Sequence, residues 1–181
     1  MNELFKSLSF FSLIAFSITA CSPQAVRTQP EEPANPKGAS YQAVLGKSLD
    51  DTEVADFIAS HNCSPVDPFT LCKQAGMAFW ADSGQFVKVV YLYSGNAAGF
   101  GRYRGDLPFG LSFYDPMWRV EEKLRNPNSE NALLQNGLPE EAGSPDHIHY
   151  WAMYRRLDMT VIYNSPAADE DAYIYAILLN D

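Results

Sequence analysis

The sequence predicts an α+β domain in which one antiparallel sheet carries helices packed on one of its faces. Two observations in the region from residue 41 to residue 181 lead to this prediction. A helical pattern followed by about three strand patterns occurs twice, and the two occurrences align with each other. One unit would leave the apolar faces of its strands uncovered, whereas two units side by side would form a continuous sheet.

A helix opens each repeat. In the first repeat, three apolar residues at helical spacing follow Ser48, which begins a capping-box pattern, and this predicts a helix at about 50–60. In the second repeat, Asp115 and Pro116 mark a helix start, because proline suits the first helical position. The second helix is expected to end before Pro127.

Strand patterns follow each helix. They predict strands at 74–80, 85–93, 147–155, 157–163 and 172–179. A glycine-rich connection at 94–106 separates the two repeats.

The repeats align by pattern rather than by identity, and we place them at about 41–105 and 106–181. The aligned stretches are FTLCKQAGMAFWADSG (69–84) over WAMYRRLDMTVIYNSP (151–166), and FVKVVYL (86–92) over YIYAILL (173–179).

The N-terminus has the features of a secretory signal at 1–20. Its apolar run at about 8–18 is too short to span a membrane. Ile18-Thr19-Ala20-Cys21 then resembles the bacterial lipobox. The resemblance implies that the Cys21 thiol receives a diacylglycerol, that the signal is cleaved before it, and that the new N-terminus is acylated. Such a protein is anchored in the cell envelope, and Ser22 favours the outer membrane, facing the periplasm.

A proline-rich segment separates this cysteine from the domain. Residues 21–40 contain four prolines and almost no large apolar residue, which predicts a disordered tether. The chain has a net charge of −9 and no basic run. This acidity argues against nucleic acid as a partner and leaves the acylated Cys21 as the contact with the membrane.

Two cysteines remain in the domain, Cys63 and Cys72. The oxidising envelope favours a disulfide between them, and two buried free thiols are the alternative.

A helix-entry motif resembles a known family. The stretch GLSFYDPMWRVEEKLRNP (110–127) resembles the signature of small envelope lipoproteins of the SmpA/OmlA type, with matches at Gly110, Leu111, Ser112, Val120, Leu124 and Pro127. Arg125 stands where the family usually has glycine. The stretch is also similar to the tandem beta-lactamase-inhibitor-protein fold. The resemblance implies a protein that holds or inhibits other proteins and does no chemistry.

His147 and His149 are the best candidates for chemistry. On a strand they would point to the same face, a spacing that can chelate a metal. A metal site needs a third ligand, and His61 is the only other histidine. Alternatively, the pair packs beside Trp151 at the entry of a strand. We expect no catalytic residue, no metal and no cofactor.

Tyrosines suggest a binding face. If residues alternate strictly along 85–93, Lys88 marks a solvent side that Val90 and Leu92 share, and the aligned repeat places Tyr173 and Tyr175 there. Tyr150 and Tyr154 could lie alongside. Tyrosine is enriched at interface hot spots, so these four residues form the predicted partner-binding surface.

These observations favour a lipid-anchored envelope protein that acts as a non-catalytic interaction module through its sheet. Its partner would be another envelope protein, and an inhibitor or immunity role is not separated from an assembly role. The alternative is a small metal-binding or enzymatic envelope protein that uses His147 and His149. A third possibility is a structural lipoprotein associated with the cell wall.

Overall fold

The computed structural model describes residues 39–95, 99–125, 127, 129–131 and 149–181. The signal at 1–20, Cys21, nearly all of the tether at 21–40, and His147 therefore lie outside the described residues. Within the described part, no helix is long and apolar enough to cross a membrane.

The described chain has two α-helices and eight β-strands. Helix α1 spans Thr52–Ser60 and helix α2 spans Met117–Leu124. The strands are β1 (Ser64–Val66), β2 (Phe69–Cys72), β3 (Met77–Ala81), β4 (Val87–Tyr93), β5 (Ser129–Asn131), β6 (Tyr150–Tyr154), β7 (Met159–Tyr163) and β8 (Ile174–Asn180).

All eight strands form one sheet in the order β1-β2-β3-β4-β8-β7-β6-β5. Every neighbouring pair is antiparallel. Strands β4 and β8, the last strand of each half, meet at the centre of the sheet. The α+β class with one antiparallel sheet and two helices is therefore confirmed.

The main core lies between the helices and one face of the sheet. Val54 and Phe57 of α1 and Met117 and Val120 of α2 belong to one buried cluster with alternate residues of the strands. We call this face of the sheet the helix side. Each fully buried side chain of this kind stabilises the fold by about 1.5–3 kcal/mol, which is why two short helices suffice to fix the sheet.

Both hairpins in the middle of the sheet contain a bulge. The register shifts between Trp80 and Ala81 in the β3–β4 pair, and between Ile162 and Tyr163 in the β7–β8 pair. An extra residue in one strand reverses the side to which all later residues point. The sheet faces therefore cannot be assigned by simple alternation along β4 or β8.

The faces predicted for the side chains of β4 are wrong because of the bulge. Val90 and Leu92 were expected on a solvent side marked by Lys88, but both are fully buried on the helix side together with Val87. Val89 and Tyr91 point to the opposite face, where they belong to a second cluster.

Helix α2 ends at a residue with positive φ. Arg125 follows the last helical residue with φ 67°, a conformation in which glycine is usually found. The chain therefore leaves the helix sharply at this position although the residue is not glycine, with the strain that a side chain has at positive φ.

Candidate functional site

The face of the sheet opposite the helices is the candidate site, and we call it the open face. Three rows of paired residues define it. The first row is Val66, Phe69, Trp80, Val89 and Asn180. The second row is Ser64, Leu71, Ala78, Tyr91, Leu178, Thr160 and Met153. The third row is Tyr93, Ala176, Ile162 and Trp151.

The open face is apolar and contains both large aromatic and aliphatic side chains. As far as the described residues define them, the three rows include no Asp, Glu, Lys or Arg. Val66 is 50% exposed. Six further apolar residues are half-buried: Phe69, Trp80, Val89, Trp151, Met153 and Leu178. A surface of this composition resembles the core of a protein interface, where charged residues are depleted and aromatic residues are enriched.

Aromatic packing fixes part of this surface. The ring of Phe100 packs against Tyr93 in a tilted arrangement with a centroid distance of 4.2 Å, and Phe69 meets Tyr91 edge to face at 5.8 Å. These contacts hold the rings in defined positions, so the half-exposed residues around them are preorganised rather than free to collapse.

A groove of about 360 Å³ opens at the β1–β2 edge of this face. Its lining residues are Asn62, Ser64, Val66, Leu71, Lys73 and Gln74. Val66 and Leu71 are the apolar residues of this lining, and the other four residues carry hydrogen-bonding groups. The volume lies in the range of sites that bind small ligands or a short piece of peptide.

The two domain cysteines form a disulfide beside this groove. Cys72 is fully buried in the helix-side cluster, and Cys63 packs against the same cluster. The amide of Cys63 donates to the carbonyl of Ile58 at 3.0 Å, which holds Cys63 at the end of α1. The disulfide therefore connects the end of α1 to the end of β2.

His149 is already engaged within the fold. It is buried, its Nδ1 lies 3.1 Å from the carbonyl oxygen of Tyr163, and its ring stacks on Tyr175 at 4.2 Å. Its predicted metal partner, His147, lies outside the described residues. His61 stacks on Phe57 at the end of α1, in the other half of the chain. Among the described residues, no group of three potential metal ligands is found.

The four tyrosines predicted as one binding surface do not share a face, which corrects that prediction. Tyr150 and Tyr154 are buried on the helix side, because β6 alternates them with Trp151 and Met153. Tyr175 is buried in the cluster of the open face. Tyr173 is 39% exposed and precedes β8.

Sequence reasoning missed the residues that do form the open face. Phe69, Trp80, Trp151 and Met153 were in the aligned repeats, yet none was named as a surface residue. The alternation in YWAMY carried a usable signal, since Trp151 and Met153 fall between three residues of the core. The residues of β3 and β4 gave a misleading signal because of the bulge.

The chain matches no family model, no curated protein and no solved structure in the comparisons.

Proposed function

We propose that this chain is a lipid-anchored envelope protein that binds another envelope protein through the open face and performs no catalysis. One observation carries the proposal: two tryptophans and five other apolar residues remain half-buried or exposed on a sheet face whose described rows lack charge. Tryptophan dominates binding hot spots because it buries a large area with few rotatable bonds.

The anchor is part of the same proposal. The signal at 1–20 and the lipobox Ile18-Thr19-Ala20-Cys21 support acylation at Cys21, in the outer membrane facing the periplasm. The proline-rich tether at 21–40 would let the domain reach a partner on the order of 25 Å from the membrane surface.

We also propose that the fold arose as a tandem repeat. Equivalent local features support it: Gly76 and Asp158 both have left-handed backbone at the same aligned position, and both central hairpins contain a bulge. The side chains of the aligned Asp82 and Asn164 also accept the amide of the first residue after their hairpin turns, at 3.0 and 2.9 Å.

The repeat has a structural consequence for binding. Tyr91 and Leu178, which the alignment makes equivalent, pair with each other at the centre of the sheet. An approximate two-fold axis through this pair would place the two helices on one face and leave the other face continuous across both repeats. Each unit then consists of a helix and four strands, one strand more than the sequence pattern suggested.

The resemblance to the SmpA/OmlA-type lipoproteins and to the beta-lactamase-inhibitor-protein fold agrees with a binding role. It does not choose between an inhibitor or immunity role and an assembly role. Identification of the bound protein would decide between these two roles.

Photo-crosslinking in intact cells tests the proposal. A photoreactive amino acid at Phe69 or Met153, on the open face, should give one dominant protein adduct. The same residue at Asp56 or Glu122, exposed on the helices, should not give that adduct. Adducts of equal yield from all four positions, or none from the open face, would contradict the proposal.

A charge-insertion pair sharpens the test. Val66→Asp places a carboxylate on the open face at a position that is already 50% exposed, so the fold should tolerate it. We expect the adduct at Phe69 to be lost. Phe109→Asp is the matched control, because Phe109 is 53% exposed on the turn before α2, and it should leave the adduct unchanged.

A further inference from the structure

One of the residues that line the groove at the β1–β2 edge is a lysine without a carboxylate partner, Lys73. Three described lysines form salt bridges: Lys47 with Glu53, Lys88 with Asp181, and Lys123 with Asp115. Lys73 is the only lysine of the described residues without one, and its Nζ lies 5.9 Å from the centroid of the Phe100 ring. Several described arginines also form no salt bridge, so what distinguishes Lys73 is its place in the lining of the groove.

The disulfide reinforces the strand pairing that shapes this groove. The lining residues Asn62 and Ser64 flank Cys63, and Leu71 and Lys73 flank Cys72. Ser64 and Leu71 are also paired directly in the β1–β2 ladder. The covalent bond adds to this pairing, so the two groups of lining residues are held at a fixed distance, which reduces the entropy lost when a ligand binds.

The groove continues into the open face. Val66 lines the groove and also begins the first row of that face, followed by Phe69 and Trp80. A ligand in the groove would thus extend over the neighbouring strands, which suits an internal segment of a protein better than a free chain end.

We propose that the groove binds an internal segment of the partner protein in which an apolar side chain is followed by an acidic one. The apolar side chain contacts Val66 and Leu71, and the carboxylate accepts hydrogen bonds from Lys73. Asn62 and Gln74 can pair with the backbone of the segment. This inference rests on the proposed function, since it names the chemistry of the partner at one end of the open face.

Three short peptides test this assignment by NMR titration of the ¹⁵N-labelled full-length chain, produced with its anchor and held in detergent micelles. The probes are acetyl-Ala-Leu-Glu-Ala-amide, its neutral counterpart acetyl-Ala-Leu-Gln-Ala-amide, and acetyl-Ala-Leu-Gln-Ala with a free C-terminal carboxylate. We expect the first probe to shift the amide signals of Leu71, Lys73 and Gln74. It should bind about three- to fivefold more tightly than the neutral probe, as an exposed ion pair allows.

Substitutions separate the role of Lys73 from general charge. Lys73→Gln should abolish the preference for the glutamate probe, and Lys73→Arg should retain it. Lys88→Gln removes the same charge outside the groove and should leave the preference intact. An amide spectrum that otherwise matches the unmodified chain shows that each variant is folded.

Three results would overturn the assignment: equal binding of the glutamate and neutral probes, tighter binding of the probe with a free carboxylate, or signal shifts confined to residues outside the groove. If any of these results occurs while the open face still gives crosslinks, the groove assignment is refuted and the proposed function stands. A clear glutamate preference without open-face crosslinks would refute the proposed function and show a peptide site of another purpose.

Discussion

Asp115 is the only Asp, Glu, Lys or Arg that is buried among the described residues. Its carboxylate accepts the amide of Ser112 and the ammonium of Lys123, both at 2.7 Å, and Lys123 also donates to the carbonyl of Gly110 at 2.7 Å. These bonds connect the segment 110–115, which leads into α2, to the last turn of that helix. Gly110, Ser112, Asp115 and Lys123 are thus joined by one set of hydrogen bonds.

Replacing this carboxylate should be costly. Asp115→Ala leaves the Ser112 amide and the Lys123 ammonium without their acceptor, and we expect the free energy of unfolding to fall by about 3 kcal/mol in urea denaturation. Glu122→Ala removes the exposed partner of Arg119 and should change the free energy of unfolding by less than about 0.5 kcal/mol. Equal losses in the two variants would contradict the structural role of Asp115.

Gly76 shows how a single position depends on the rest of the chain. It has φ 67°, and a Cβ there would lie 2.2 Å from the Tyr103 amide nitrogen and 2.5 Å from the Gly101 carbonyl oxygen. The segment Gly101–Tyr103 passes against Gly76 at this point. Gly76→Ala should therefore lower the free energy of unfolding by more than about 3 kcal/mol, measured in urea.

The second repeat offers the matched variant. Asp158 has φ 46° at the aligned position, so Asp158→Ala also places alanine in a left-handed conformation. We expect a loss of about 1 kcal/mol or less there. If both alanine variants lose the same amount, backbone strain rather than the contact with Gly101–Tyr103 explains Gly76.

Ionisation of Tyr103 makes the stability of the fold depend on pH in the alkaline range. Burial raises its pKa from 10.0 to about 12, because the buried phenolate is poorly solvated. The folded state then binds more protons than the unfolded state between those values. The contribution of Tyr103 to stability should therefore be constant below about pH 10 and should be lost as the pH rises from about 10 to about 12.

Tyr103→Phe tests this assignment. The slope between pH 10 and 12 should become smaller, although burial also raises the pKa of Tyr163, so some slope should remain. Near neutral pH the variant should lose about 1 kcal/mol, since the hydroxyl accepts the Tyr41 amide at 3.1 Å. Thermal unfolding monitored by circular dichroism at several pH values measures both effects. An unchanged alkaline slope would contradict it.

At the scale of elements, the disulfide connects the end of α1 to β2, next to the edge strand β1. Closing a loop of about ten residues is worth about 2–3 kcal/mol through the unfolded state. Cys63→Ala with Cys72→Ala should lower the free energy of unfolding by that amount, and reduction of the unmodified chain should give a similar loss. Labelling of both thiols in non-reduced, denatured protein would show that the bond is absent.

Element prediction succeeded where local periodicity is strong. Helix α1 lies within the predicted 50–60, and β3, β4, β6, β7 and β8 each overlap a predicted strand. Strands β1, β2 and β5 were not predicted, because two of them have three residues, and β1 contains Pro65. Such strands form because a neighbouring strand offers hydrogen bonds, which is not a property of their own sequence.

At the scale of the whole molecule, the proposed anchor at Cys21 would hold the domain at a membrane. Cys21→Ser removes the only thiol that the lipobox offers for acylation, and we expect the protein to leave the membrane fraction. Intact mass spectrometry of the unmodified protein should find a chain that begins at residue 21 and carries fatty acyl groups. A lipid-free species, or one that retains the first twenty residues, would contradict the lipobox assignment.

The sequence by itself determined the properties that depend on order and composition. The acidic character, the presence of two helices and the class of fold all follow from residue types at short spacing, whereas the exact helix starts do not: α1 is capped by Asp51 rather than Ser48, and Pro116 caps α2 rather than opening it. Periodicity records local geometry, and both helices and the central strands are long enough for that geometry to be visible.

Only the tertiary structure decided which side chains form the open face and the groove. A bulge reverses alternation in β4 and β8, so Val90 and Leu92 are buried while Val89 and Tyr91 face the other way. The open face joins residues of strands that are distant in the chain, and only the structure shows that Lys73 lines the groove without a salt-bridge partner. Those facts depend on register and long-range contact, which local patterns do not encode.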